Sequence, residues 1–88
     1  MKEVKIYTTQ SCPHCRRAKT LLANKKIAFR EVDLTNDSKK RQELEEKTGW
    51  MTVPMIFIGD KLIGGADELY ALDASGKLDS MLEAGHGR

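Results

Sequence analysis

The apolar positions of this chain change period along its length, and each change predicts a new element. Over residues 4–8 the apolar Val4 and Ile6 alternate with other residues, and Tyr7 and Thr8 favour strands, which predicts a first strand. From Pro13 onward the apolar residues recur at helical spacing, which predicts a helix ending at about Asn24 or Lys26. Period two returns over residues 28–33 and predicts a second strand.

The middle of the chain predicts a weakly anchored helix and then a hairpin. Residues 39–47 are highly charged with Leu44 as their main apolar side chain, so this helix is expected to be largely exposed. Gly49 suits the left-handed position that ends it. Residues 55–58 form a continuous apolar run, and residues 61–64 are its predicted hairpin partner.

A third helix over residues 67–74 and a short last helix over residues 77–82 complete the prediction, with residues 85–88 as a frayed tail. The order is therefore β-α-β-α-β-β-α followed by the short helix. A strand–helix–strand start implies a right-handed crossover between parallel strands, to which the hairpin adds antiparallel ones. The predicted fold class is α/β, with a four-stranded mixed sheet and helices on both faces.

Composition narrows the class of protein. The 88 residues fit one domain, and 40% hydrophobic with 32% charged residues is typical of a soluble globular protein. The net charge of +2 argues neither for nor against nucleic acid as a partner, but the lysines and arginines are scattered and form no single basic stripe, which disfavours it. No apolar run approaches the roughly 20 residues of a membrane span, and residues 1–5 lack the apolar stretch of a signal peptide. A cytoplasmic monomer is expected.

The chemistry concentrates in Cys12-Pro13-His14-Cys15, which contains the only two cysteines and lies where the first strand gives way to the first helix. The positive end of a helix dipole favours a thiolate at Cys12, and Cys15 follows one turn later as a resolving thiol. Such a pair can carry out thiol–disulfide exchange. A structural disulfide or half of a metal site are the alternatives. Zinc needs about four ligands, and His14 and His86 are the only histidines, so no metal is expected.

Three motifs, taken together and in this order, resemble the glutaredoxins, and in particular the short bacterial dithiol members of that thioredoxin-fold family. They are Cys12-Pro13-His14-Cys15, Thr52-Val53-Pro54 and Gly64-Gly65-Ala66-Asp67. The resemblance covers about the whole chain. It implies a glutathione-dependent thiol–disulfide oxidoreductase that reduces glutathione mixed disulfides and protein disulfides, with glutathione as co-substrate and Cys12 as nucleophile.

The resemblance also implies a glutathione groove. In it, Pro54 would be cis, Thr52-Val53-Pro54 would face the cysteines, and Val53 would offer its N–H and C=O to the cysteinyl part of glutathione. Gly65, Ala66 and Asp67 would hold the γ-glutamyl end. The alternatives are a strand-entry proline without a ligand role and a simple helix cap at Asp67.

The residues between the cysteines would tune the dithiol. Pro13 would stiffen the loop. His14 stands where this group often has tyrosine, and it either stabilises the thiolate or is a solvated side chain.

Two basic contacts typical of the family are replaced here, by Thr9 and Trp50. Arg41 or Gln42 could substitute, and Trp50 could contact the rim of the groove or be a partly buried loop aromatic. These departures leave open a second function: an electron carrier reduced directly by thioredoxin reductase instead of by glutathione and, indirectly, glutathione reductase. A third, an iron–sulfur binding module, is disfavoured by Cys15 and, by family analogy, by Pro13.

Overall fold

A computed structural model of the chain describes residues 2–83. His86 and the predicted frayed tail over residues 85–88 lie outside the described residues. The elements are β1 (Val4–Thr8), α1 (Pro13–Asn24), β2 (Phe29–Asp33), α2 (Ser38–Thr48), β3 (Met55–Ile58), β4 (Lys61–Gly64), α3 (Ala66–Ala74) and α4 (Lys77–Glu83).

The four strands form one mixed sheet in the order β2-β1-β3-β4. The pair β1–β2 is parallel, whereas β1–β3 and β3–β4 are antiparallel. The predicted α/β fold with a mixed four-stranded sheet is therefore confirmed. The bounds of β2, α3 and α4 differ from the sequence prediction by one residue at one end, and those of α2 by one residue at each end.

Alternation along β1 and β3 divides the core between the two faces of the sheet, because successive strand side chains point in opposite directions. Ile6 and Ile56 belong to the larger cluster, which they share with α1, α3 and α4. Tyr7 and Met55 belong to a smaller cluster against which Leu44 of α2 packs.

Helix α2 is the least anchored helix, as its charge predicts. None of its residues is fully buried. Its ends are nevertheless well defined: the Asp37 side chain accepts a hydrogen bond from the Lys40 N–H at 3.1 Å, and Gly49 ends the helix with a φ of 76°.

Within residues 2–83, no helix combines the length and the apolar character that crossing a membrane requires.

Candidate functional site

The dithiol lies at the start of α1. Cys12 is the N-cap residue, with extended backbone angles, and Pro13 opens the helix. A helix start leaves backbone N–H groups without partners inside the helix, and the Cys12 Sγ accepts one of them from Cys15 at 3.1 Å. Both cysteines are free thiols. The local sequence therefore places a sulfur where helix N–H groups stabilise negative charge on it.

The two thiols lie in different environments. Cys12 is half-buried, whereas Cys15 is only 1% exposed. Burial, together with a hydrogen bond to Cys12, raises the pKa of the Cys15 thiol to about 12. Cys15 is therefore a neutral thiol at physiological pH, and Cys12 is the sulfur that a substrate can reach.

The loop before β3 lies against the dithiol. The Val53–Pro54 peptide bond is cis, as the resemblance implied. The Cys12 thiol donates to the Val53 carbonyl oxygen at 3.6 Å, a contact between residues 41 positions apart in the sequence. When Cys12 loses its proton, that carbonyl oxygen becomes available to a peptide N–H of a ligand.

A groove of about 270 Å³ runs beside this contact. All six residues that the resemblance assigned to glutathione lie along it, and so do His14, Trp50 and Glu68. The lining residues are His14, Trp50, Thr52, Val53, Pro54, Gly65, Ala66, Asp67 and Glu68. A larger cavity of about 420 Å³ lies between α2 and the sheet. Neither Val53, which contacts Cys12, nor His14, which lies between the cysteines, lines that cavity, so it is not the site of the thiol chemistry.

The double glycine lets the backbone pass close to this groove. A Cβ on Gly65 would meet Glu68, Trp50 and Pro54 at 3.4 to 3.6 Å. Gly64 has a φ of 124°, which L side chains rarely adopt. The Glu68 carboxylate accepts a hydrogen bond from the Gly65 N–H at 2.9 Å and so fixes the start of α3. Sequence reasoning missed Glu68, although its position three residues after the N-cap is the signal of a capping box.

Asp67 lies at the exposed end of the groove, with 81% of its side chain exposed. Its Oδ1 is 3.3 Å from Nη1 of Arg17, and the same Nη1 is 3.1 Å from Nδ1 of His14. A guanidinium can only donate, so Nδ1 of His14 is the acceptor in this contact. Sequence reasoning considered Arg17 only as a positive charge near Cys12 and missed its contact with Asp67, because no local signal connects two residues 50 positions apart.

The residues suggested to compensate for the missing basic contacts, Arg41 and Gln42, lie away from the groove, whereas Trp50 lies in it. Arg41 pairs with Glu45 at 3.2 Å and Gln42 donates to Glu46 at 3.4 Å, so both side chains are engaged along α2 instead of along the groove. Trp50 does line the groove. Its Nε1 is buried and has no hydrogen-bond partner among the described residues.

Over residues 2–83, no cluster of three or more His, Cys, Asp or Glu side chains is arranged as metal ligands would be.

Comparison with known proteins gives consistent matches over the chain. The family model described as glutaredoxin matches residues 4–63. Glutaredoxin 3 of Escherichia coli is 48% identical over 83 residues, which are 94% of this chain and 100% of that protein. A glutaredoxin of Pseudomonas aeruginosa is 48% identical over 84 residues, covering 96% of this chain and 100% of its own.

Solved structures agree with these sequence relatives. The solution structure of glutaredoxin from Brucella melitensis superposes with a TM-score of 0.85 at 49% identity, covering 97% of this chain and 92% of that one. The crystal structure of a buckwheat glutaredoxin–glutathione complex superposes with a TM-score of 0.86 at 30% identity, covering 94% and 78%. The thioredoxin-like sheet, the dithiol at the start of α1 and these matches together show that the chain belongs to the glutaredoxin family.

Proposed function

We propose that this protein is a glutathione-dependent thiol–disulfide oxidoreductase that reduces glutathione mixed disulfides and protein disulfides through Cys12 and Cys15. One observation carries the proposal: the half-buried Cys12 Sγ accepts a helix N–H beside a groove that begins at the Val53–Pro54 peptide. The structural likeness to a glutaredoxin–glutathione complex supports glutathione as the ligand of that groove.

The first step is exchange at Cys12. Its thiolate attacks the glutathionyl sulfur of a mixed disulfide, so that a Cys12–glutathione disulfide forms and the substrate leaves as a thiolate that takes up a proton. The thiolate of a second glutathione then attacks the glutathionyl sulfur. Oxidised glutathione leaves, and the Cys12 thiolate is restored.

The groove would hold glutathione along its length. Val53 offers backbone N–H and C=O groups to the cysteinyl part, since its carbonyl oxygen is free once Cys12 is deprotonated. The backbone N–H groups of Ala66 and Asp67 at the start of α3 suit the γ-glutamyl carboxylate, and the Asp67 carboxylate suits the ammonium group.

Cys15 would serve protein disulfides. Once Cys12 is joined to a protein sulfur, Cys15 attacks Cys12, the protein thiolate leaves and takes a proton, and a Cys12–Cys15 disulfide remains. Two molecules of glutathione then reduce that disulfide and become oxidised glutathione. Because burial raises the pKa of Cys15 to about 12, its proton leaves only as the outgoing thiolate accepts one.

The test follows NADPH oxidation with a small glutathione mixed disulfide, glutathione and glutathione reductase. We expect turnover with the wild type and with Cys15→Ser, and none with Cys12→Ser. If Cys12→Ser keeps the wild-type rate, Cys12 is not the nucleophile and the proposal is wrong.

A second function is favoured by Trp50, which stands in the groove where many glutaredoxins carry a basic residue. The protein would then be an electron carrier that thioredoxin reductase reduces directly. Turnover with NADPH and thioredoxin reductase alone, together with none from glutathione, would favour it over the first. In either case we propose that residues 1–88 act as a single, monomeric, cytoplasmic domain.

A further inference from the structure

Arg17 lies where α1 and α3 meet at the exposed end of the groove. Its Nη1 is 3.3 Å from the Asp67 carboxylate and 3.1 Å from Nδ1 of His14. His14 and Asp67 both line the groove. The guanidinium therefore bridges two groove residues that come from different helices.

The position of Arg17 is fixed by Tyr70 of α3. The guanidinium carbon lies 5.0 Å from the centre of the Tyr70 ring, and the Tyr70 hydroxyl donates to the Arg17 carbonyl oxygen at 3.1 Å. Stacking on an aromatic ring holds a guanidinium in one plane at little cost in solvation. Little conformational entropy is then lost when a ligand binds to this cation.

Arg17 and Asp67 present opposite charges side by side. The contacts of the Arg17 guanidinium involve Nη1, which leaves its Nε and Nη2 donors without partners among the described residues, and the side chain is 44% exposed. A free α-amino acid group also carries opposite charges side by side, because its ammonium and carboxylate share one carbon atom. An ammonium on Asp67 would bring the neighbouring carboxylate within reach of Arg17.

We propose that Arg17 is a specificity-determining residue, which binds the α-carboxylate of the γ-glutamyl residue while Asp67 binds its ammonium group. The inference rests on the proposed function, and it adds a side chain to the backbone N–H groups at the start of α3. It also assigns the groove a preference for thiols that carry an unmodified α-amino acid group at this end.

The opposite role is also physically possible. In the free protein Arg17 already pairs with Asp67, so it could compete with the incoming ammonium group instead of assisting. The two roles differ in sign. Removing an assisting cation weakens substrate binding, whereas removing a competitor strengthens it.

The test uses two chromogenic probes in single-turnover experiments that follow release of 5-thio-2-nitrobenzoate. The first probe is its mixed disulfide with glutathione, and the second is the same molecule with the glutamyl α-carboxylate converted to a carboxamide. For Arg17→Gln we expect the half-saturating concentration of the first probe to rise about fivefold, as for loss of an exposed charge pair. The limiting rate should stay unchanged, and the second probe should be little affected.

Arg16→Gln is the matched control, because it removes the same charge from the neighbouring exposed position of α1. It should leave the ratio of the half-saturating concentrations of the two probes at the wild-type value. Arg17→Gln should bring that ratio towards one. Arg17→Lys should restore the ratio only in part, since a lysine lacks the planar fork.

Three results would overturn the inference. A lower half-saturating concentration in Arg17→Gln would make Arg17 a competitor for Asp67. If the ratio of the two half-saturating concentrations is unchanged in Arg17→Gln, Arg17 does not contact the carboxylate. If the wild type releases no chromophore from either probe, the proposed function itself fails, and the inference fails with it.

Discussion

The buried thiol of Cys15 should make the stability of the reduced protein depend on alkaline pH. Burial raises its pKa from 9.0, the value of an exposed thiol, to about 12 in the folded protein. A group with a raised pKa contributes stability that is fully present below its unfolded pKa and is lost as pH rises towards its folded pKa. The free energy of unfolding should therefore fall between about pH 9 and pH 12.

The size of the effect follows from the shift. Each pKa unit corresponds to about 1.36 kcal/mol, so the full shift amounts to about 4 kcal/mol, of which about 2 kcal/mol is lost between pH 9 and pH 11. Urea unfolding of the reduced protein at several pH values in this range would measure it. For a domain whose total stability is of order 5 to 15 kcal/mol, the loss is large.

Cys15→Ser is the control, because a serine hydroxyl does not titrate in this range. Asp73 raises the pKa of Lys25, so that ion pair also weakens at high pH, but it does so equally in both proteins. The difference between the two unfolding curves therefore isolates Cys15. If the two free energies of unfolding fall in parallel from pH 9 to pH 11, the reasoning from burial is refuted.

Two further substitutions test the backbone around the site and the weakest helix. Gly64→Ala should cost about 2 to 3 kcal/mol of unfolding free energy in urea, because its φ of 124° disfavours a side chain and its Cβ would lie 2.8 Å from Cγ of Glu68. Gly49→Ala, with a positive φ but no atom within 4 Å of its Cβ, should cost less, and equal losses would contradict the role given to Glu68. Asp37→Ala removes the N-cap of α2 and should cost about 1 kcal/mol. Amide exchange should then accelerate in α2 and not in α1, and uniform acceleration would mean that α2 does not open separately.

Much of the fold was predictable because local signals are strong at the element ends. Pro13, Gly49 and the alternation along β1 placed their elements to within one residue. The weak anchoring of α2 also followed from its charge pattern, and Leu44 is the side chain that attaches it to the sheet.

Only those parts of the candidate site that belong to recognisable sequence motifs were predictable. The dithiol motif and the two segments that the resemblance assigned to glutathione do meet in one groove. The bridge from Arg17 to Asp67 was not predictable, since the two residues meet only through the packing of α1 against α3. The suggested replacements Arg41 and Gln42 do not line the groove, and their side chains pair with residues one turn away along α2.

The groove is assembled from segments that are far apart in the chain, and this has a consequence for its biosynthesis. Cys12 and Val53 are 41 residues apart, and Arg17 and Asp67 are 50 apart. Contacts across such separations form late, because long loops must close first. A nascent chain therefore carries both reactive sulfurs well before it has a surface to select their partners. Until α3 has been synthesised and has docked, the dithiol is a simple thiol pair open to any disulfide it meets.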